Sequence, residues 1–237
     1  MTASTLLPLR RLGAFTLLLL ALLLAWDASG LDLPLARLFG DAQGFAWRDQ
    51  PAFVLLAHTL PRWASSALLL ALAFGALRPW GFLRALAPRD RWQLVLAIAL
   101  AMAAITLFKR ASSTSCPWDL AEFGGTLAHV SHWLWGVRDG GAGHCFPAGH
   151  ASAAFAYLAG WFVLRRSVAR AVAMRWLAAA LAAGLLLGLA QQVRGAHYMS
   201  HTLWTAWICW TVGLALEGLA RWLPAAGQPA AVHLNEA

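Results

Sequence analysis

One short segment of this chain has residue types suited to binding an anion. Cys145-Phe-Pro-Ala-Gly-His150 stands where a glycine-rich polar loop ends and an apolar run begins. Pro147 and Gly149 mark the start of a predicted helix, whose first turn leaves backbone N–H groups unpaired and carries partial positive charge. Helix starts of this kind bind anions. We therefore expect the backbone of Ala148, Gly149 and His150 to face a negatively charged ligand.

A pair of histidines follows at helical spacing. His197 and His201 are four residues apart, and Arg194 lies three residues before the first of them. In a helix both imidazoles would share one face. The pair has three interpretations: metal ligands, a nucleophile with its orienting partner, or polar residues at a membrane interface. A metal is the weakest of these, because no Glu lies between the histidines and no nearby carboxylates have a ligand spacing.

Lys109 completes the set of candidate residues. It ends an apolar run, where a lysine either extends its ammonium to the membrane surface or binds an anion. Cations and free N–H groups are what a phosphoryl group requires, and two histidines supply a nucleophile and a leaving-group acid. The residues together predict phosphoryl transfer through a phosphohistidine.

The composition is that of a membrane protein. The chain has 237 residues, of which 60% are hydrophobic and 12% charged, and it holds 14 Trp. A soluble domain has far more charge. The net charge of +8 does not indicate nucleic-acid binding, because no basic face alternates with aromatic residues.

The apolar runs predict an all-α, polytopic bundle of six transmembrane helices. A span must cross ~30 Å of hydrocarbon, and several of these runs are short for that distance. The predicted spans are Leu12–Trp26, Trp63–Leu77, Trp92–Phe108, His150–Leu164, Trp176–Val193 and Ser200–Trp222. Pro51–Leu60 is predicted to be an amphipathic segment on the membrane surface. We expect one membrane domain, in which 1–108 holds three spans and an outer loop, 109–222 holds the candidate site, and 223–237 is a disordered tail.

The charges predict the orientation. With the N-terminus inside, eleven of the 18 Lys and Arg residues lie on the inner side, and seven of the ten acidic residues lie outside. Inner loops carry the excess of cations in membrane proteins. Both termini are therefore expected in the cytoplasm. Lys109, His150 and His197 are expected together at the outer face of the cell membrane.

The order of these residues resembles the type 2 phosphatidic acid phosphatase and vanadium haloperoxidase superfamily. The motifs of that family are Lys-x6-Arg-Pro, Pro-Ser-Gly-His and Ser-Arg-x5-His-x3-Asp. The corresponding segments here are 109–117, 147–150 and 190–201, with 29 residues between Pro117 and Pro147 and 46 between His150 and His197. The six-span layout resembles the bacterial inner-membrane branch of the family.

The resemblance implies a role for each matching residue. His197 would attack phosphorus, His150 would protonate the leaving alcohol, and His201 would orient His197. Lys109 and the backbone amides of Ala148 to His150 would hold the phosphoryl oxygens. The family requires no metal for this chemistry, so we expect neither a metal nor another cofactor.

Five positions depart from the family motifs. Cys116 and Gln191 replace arginines, Ala148 and Ala190 replace serines, and His201 replaces the aspartate that orients the nucleophile. Arg194 lies one helical turn from Gln191 and is the candidate to restore a guanidinium, while the Gln191 amide is a candidate hydrogen-bond donor. His201 can accept a hydrogen bond from His197 but stabilises its cationic form less than an aspartate does.

Two cysteines flank the motifs on the oxidising outer face. A disulfide between Cys116 and Cys145 would tie the two ends of the loop together beside the site. The alternative is that Cys116 is a free thiol near the phosphate.

These residues favour a phosphatase that acts on an outer-leaflet lipid phosphate or pyrophosphate. Two alternatives remain: a lipid phosphotransferase, and a non-catalytic homologue that binds a phospholipid head group. Phosphatidic acid, phosphatidylglycerol phosphate, undecaprenyl pyrophosphate and lipid A all present a phosphate at the same depth. The expected partners are therefore the lipid substrate and the bilayer, without nucleic acid, and no protein partner is predicted.

Overall fold

A computed structural model describes residues 8–134 and 136–222, and nearly all of their regular structure is helical. The predicted disordered tail at 223–237 lies outside these residues. The helices are α1 (Leu9–Ser29), α2 (Asp32–Ala36), α3 (Pro51–Val54), α4 (Leu60–Leu77), α5 (Pro88–Ala111), α6 (Ser152–Phe155), α7 (Leu158–Ser167), α8 (Arg170–Val193) and α9 (Met199–Trp222). A two-residue hairpin pairs β1 (Gly40–Asp41) with β2 (Gly44–Phe45).

Five helical segments are long and apolar enough to cross a membrane. They are Leu9–Ser29, Pro51–Ala85, Pro88–Ala111, Arg170–Val193 and Met199–Trp222. Their outer surfaces expose large apolar side chains, such as Leu18 on α1, Leu70 on α4 and Leu186 on α8. Because a water-soluble protein rarely exposes so much contiguous apolar surface, these helices embed the protein in a membrane.

The predicted fourth span has a different form from the other five. It consists of the short helices α6 and α7, and every residue from Leu158 to Arg165 is buried. Helices α5, α8 and α9 pack around this segment, which forms the centre of the bundle. Its short length and two arginines separate it from the long apolar helices. The sixth membrane crossing therefore stays a prediction.

The amphipathic segment predicted at Pro51–Leu60 is the beginning of a long helix. Helix α3 continues through a π-helical turn, Leu55–Thr59, directly into α4. A π turn adds a residue to the helical repeat and occurs frequently at functional sites. Here it changes the direction of the side chains on one turn, including that of His58.

Small residues allow the central segment to approach its neighbours closely. A Cβ atom on Gly213 of α9 would lie 2.6 Å from the Cα of Ala159, and one on Gly188 of α8 would collide with the side chain of Thr202. Close helix contacts through glycine are typical of membrane bundles, where van der Waals packing drives association. This packing fixes α9 relative to α7 and α8.

A buried ion-pair network joins α5, α7 and α9 at the end of the bundle where α7 and α9 terminate. Glu217 is fully buried and pairs with Arg166 and with Arg221, the latter at 3.0 Å. Arg166 also contacts Asp90 at 2.6 Å. Removing one member of a buried network leaves charges without compensation.

We expect Glu217→Gln to lower the free energy of unfolding by about 1.5 to 3 kcal/mol, because Arg166 loses a charged hydrogen bond to a buried carboxylate while it keeps its contact with Asp90. The measurement is the unfolding midpoint of the purified protein in detergent. Glu122→Gln is the matched control, since Glu122 pairs with Arg37 at an exposed position, and we expect its midpoint to be unchanged. Equal midpoints for the two variants would contradict a stabilising role of the network.

Candidate active site

The turn before α6 is docked on the first turn of α9. The N–H of Ala148 donates to the carbonyl of His201 at 3.2 Å, and the hydroxyl of Thr205 donates to the carbonyl of Ala148 at 3.1 Å. Because Ala148 uses its N–H in this contact, it does not present the free amide that its position predicted. In the described part of the chain, the N–H groups of Gly149 and His150 have no acceptor and are available to a ligand.

Lys109 reaches this turn from the last turn of α5. Its side chain lies against Gly149, where an added Cβ would be 3.3 Å from Lys109 Cδ and 4.0 Å from Nζ. A cavity of about 270 Å³ adjoins the contact and is lined by Lys109, Gly149 and five further residues, among them Arg110 and His144. The structure therefore brings the predicted cation and the predicted amide donors together.

His197 lies between the end of α8 and the start of α9, where Gly195 takes a positive φ of 72° and turns the chain. The imidazole is buried, and its Nδ1 is 3.5 Å from the sulfur of Cys145. Burial lowers the pKa of His197 well below its usual value, and the nearby charge of Lys109 acts in the same direction. His197 is thus neutral and retains the nitrogen lone pair that a nucleophile needs.

His150 stands beside a second imidazole that the sequence did not identify. The ring of His58 stacks on it with a centroid distance of 3.8 Å and an angle of 34° between the planes. Burial lowers the pKa of His150 to about 3, and the neighbouring His58, Lys109, Arg194 and Arg62 reinforce the effect. His150 is therefore also neutral.

His201 adjoins His197 but does not hydrogen-bond to it. The two ring centroids are 5.8 Å apart, and His201 is completely buried. Neither ring nitrogen of His201 has a hydrogen-bond partner among the described residues. The orienting hydrogen bond expected between the two histidines is absent from this arrangement.

Arg194 and Gln191 face the N-terminal half of the chain. Arg194 donates from Nε and Nη2 to the carbonyl of Arg48, at 3.0 and 2.9 Å, and from Nη1 to Gln191 Oε1 at 3.1 Å. Gln191 Nε2 donates to the carbonyl of Ala57 at 2.9 Å. The two side chains expected to contact phosphate thus hold the segment that carries His58 against the site, while the Arg194 charge still acts on His150.

The structure joins Cys116 and Cys145 in a disulfide with their Cα atoms 5.2 Å apart. The Cys145 sulfur also lies 3.0 Å from the carbonyl of Ala196, the residue before His197. The bond therefore links the two ends of the long loop at the position of the buried histidine.

A metal does not fit the closest group of potential ligands. Donor atoms of Cys145, His197 and His201 lie within 4.8 Å of one another. However, the sulfur is part of a disulfide and is not a thiolate, so only two imidazoles remain as metal ligands.

Sequence reasoning missed His58, Asp27 and His132, which all lie near the predicted residues. His58 had one available signal, since an ionisable residue within an apolar membrane segment is by default a functional candidate. Asp27 and His132 are 105 positions apart in the numbering and contact each other only in the folded chain, at 3.5 Å.

We expect sulfate to bind more tightly as the pH falls towards the pKa of about 3 that burial gives His150. An anion close to Lys109 and His150 favours protonated histidine and raises that pKa, so binding takes up a proton. Titration calorimetry in buffers of different ionisation enthalpy measures that proton. In His150→Gln the pH dependence should be lost, and its persistence would show that another group takes up the proton.

The predicted residues of this site lie within a segment that matches a known family. The sequence model of the PAP2 superfamily matches residues 90–223, which include Lys109, His150 and His197. No curated protein and no solved structure matches the chain. Because the match covers more than half of the chain, this protein belongs to the PAP2 superfamily, whose members are generally phosphatases or phosphotransferases that act on phosphate esters.

Proposed function

We propose that this protein is a membrane phosphatase that hydrolyses a lipid phosphate or pyrophosphate through a phosphohistidine on His197. One observation carries the proposal. A neutral, buried His197 shares one end of the helix bundle with His150 and Lys109, although the three come from different segments of the chain. That combination of a nucleophile, a second imidazole and a cation suits phosphoryl transfer.

In the first step, a nitrogen of His197 attacks phosphorus and the bond to the leaving oxygen breaks. His150, protonated when the anion binds, gives its proton to that oxygen. Lys109 and the N–H groups of Gly149 and His150 offset the negative charge on the phosphoryl oxygens. The first product is an alcohol, or a phosphate if the substrate is a pyrophosphate.

In the second step, water attacks the phosphohistidine. His150, now neutral, takes a proton from the water, and the N–P bond breaks to return His197 and release phosphate. The same imidazole therefore acts first as the acid and then as the base. If a lipid hydroxyl replaces water, the protein is a phosphotransferase instead.

An apolar groove beside the site supports a lipid substrate. It has a volume of about 340 Å³, and its lining includes Ala153 and Ala154, which closely follow His150, together with Ser65, Tyr157 and Trp176. A hydrocarbon chain in this groove would leave its phosphate near the His150 turn. Hydrophobic walls next to a few polar groups are typical of ligand sites.

The proposed location is the outer leaflet of the bacterial inner membrane, with both termini in the cytoplasm. Arg165, Arg166 and Arg221 terminate α7 and α9, whereas Lys109 and His150 lie where α5 ends and α6 begins. The arginine-rich end of the bundle is the one expected inside the cell.

The decisive measurement is phosphate release from a panel of lipid phosphates by the purified protein. We expect His197→Ala to abolish turnover and His150→Ala to lower kcat by roughly 100- to 10,000-fold, because a general acid contributes that much. His129→Ala is the control, since His129 lies in the outer loop and contacts Tyr198. Equal activity in all four proteins would refute the proposal.

The product separates the candidate functions. Release of inorganic phosphate identifies hydrolysis, whereas phosphate found on an added lipid A or another lipid hydroxyl identifies transfer. Binding without either product identifies a head-group binder. An acid-labile phosphoryl group on wild-type protein, absent from His197→Ala, would report the covalent intermediate.

His58 should support the catalytic ring through stacking. We expect His58→Ala to lower kcat about tenfold, because His150 loses the ring at 3.8 Å that holds its orientation. His58→Phe retains an aromatic ring and should retain most of the activity. If the phenylalanine variant is as impaired as the alanine variant, the imidazole nitrogens of His58 and not its stacking are what the site requires.

A further inference from the structure

A row of buried ionisable side chains leads away from the nucleophile. The ring of His201 lies between those of His197 and His132, at centroid distances of 5.8 and 5.6 Å. Nε2 of His132 is in turn 3.5 Å from Oδ2 of Asp27. The row therefore connects the proposed nucleophile to a carboxylate on α1.

The carboxylate of Asp27 is buried, which is unusual for an acidic side chain. Its side chain is only 3% exposed, and Oδ2 accepts hydrogen bonds from the indoles of Trp204 at 2.8 Å and Trp133 at 3.1 Å. Within the described ranges, its ion-pair partner is His132 and not a lysine or arginine. A buried carboxylate needs donors close by to offset the cost of its burial, and the two indoles and His132 lie where they can supply that compensation.

The atoms that line the row have unused hydrogen-bonding capacity. Asp27 Oδ1, His132 Nε2 and both ring nitrogens of His201 are buried without a hydrogen-bond partner among the described residues. These three residues line one cavity of about 100 Å³, together with Asp32, His129 and Tyr198 among others. The space is large enough for water, which needs polar partners of this type.

The rings of His197 and His201 are close enough for charge on one to act directly on the other. One nitrogen of His197 and one of His201 lie within 4.8 Å of each other. At that distance in a buried environment, screening by water is weak. Charge on His197 can thus polarise His201 and, through the cavity, His132 and Asp27.

We propose that Asp27 is a positioning residue that balances the positive charge formed on His197, acting through His132 and His201. The inference rests on the proposed phosphohistidine chemistry. When the N–P bond forms and the leaving oxygen takes its proton from His150, the His197 ring becomes cationic. The buried carboxylate stabilises that cation, and no proton needs to leave the row.

The charge of Asp27 explains how the site can work with a histidine at position 201. The family motif has an aspartate there, whereas this chain has an imidazole, which carries no negative charge. Asp27 restores the missing negative charge two imidazoles further away. It belongs to α1, outside the matched residues 90–223, so the motif-bearing region depends on the N-terminal helix for this charge.

Asp27→Asn tests the charge without removing the acceptor that holds the two indoles. The probes are orthovanadate, which forms a fifth bond to a nucleophile and resembles the transition state, and sulfate, which resembles the bound ground state. We expect vanadate affinity to fall about 10- to 100-fold and sulfate affinity and the unfolding midpoint to stay as in wild type. A merely structural role would weaken both anions together.

The matched control is Asp32→Asn. Asp32 lines the same cavity, but its Oδ1 accepts from the N–H of Ser200 and the indole of Trp26, both at 3.0 Å. We expect this variant to bind vanadate as wild type does. His132→Gln should reproduce the Asp27→Asn defect, and the double variant should be no weaker than either single one, since residues that act as a unit are not additive.

His197→Ala separates failure of this inference from failure of the proposed function. If vanadate binds His197→Ala as tightly as wild type, the phosphohistidine proposal and the inference fall together. If His197→Ala loses vanadate but Asp27→Asn retains it, only the role of Asp27 is overturned. Additive losses in the Asp27→Asn, His132→Gln double variant would show that Asp27 and His132 do not act as one unit, and would leave His197 as the proposed nucleophile.

Discussion

The site depends on the contact that docks the His150 turn on the start of α9. The Ala148 N–H bonds to the His201 carbonyl, and the Thr205 hydroxyl bonds to the Ala148 carbonyl, which ties together two segments about 50 residues apart. Both bonds are buried, where an unpaired backbone group is costly, so the contact is strongly specified. It places His150, the free amides beside it and the loop before His197 at one end of the bundle.

The electrostatics of this end follow from burial. His150 and His197 are held neutral by burial, and the described residues whose charges act on the pKa of His150 include the cations Lys109 and Arg194 but no carboxylate. An incoming anion supplies a negative charge and makes protonation of His150 favourable. Substrate binding therefore also protonates His150, the proposed general acid. The same burial leaves the His197 nitrogen unprotonated, as attack on phosphorus requires.

The N-terminal helices contribute contacts to the matched region 90–223, in which several charged residues of the family motifs are replaced. Arg194 and Gln191 bond to the carbonyls of Arg48 and Ala57, and these contacts bring His58 onto His150. On the opposite side of the nucleophile, Asp27 reaches His132 from α1. The departure at position 191 thus coincides with a contact from outside the matched region, whereas Cys116 forms a disulfide with Cys145 within that region.

The sequence by itself determined the helical membrane class, because long apolar runs allow few other structures in a bilayer. It also identified the set of Lys109, His150 and His197, since local spacing and a family motif are properties of the chain. Only the tertiary structure decided that Arg194 braces the segment carrying His58, that the nitrogens of His201 are unpaired, and that the predicted fourth span is a broken, buried helix. Each of these depends on contacts between residues far apart in the chain, which the packing of the helices creates and no local pattern records.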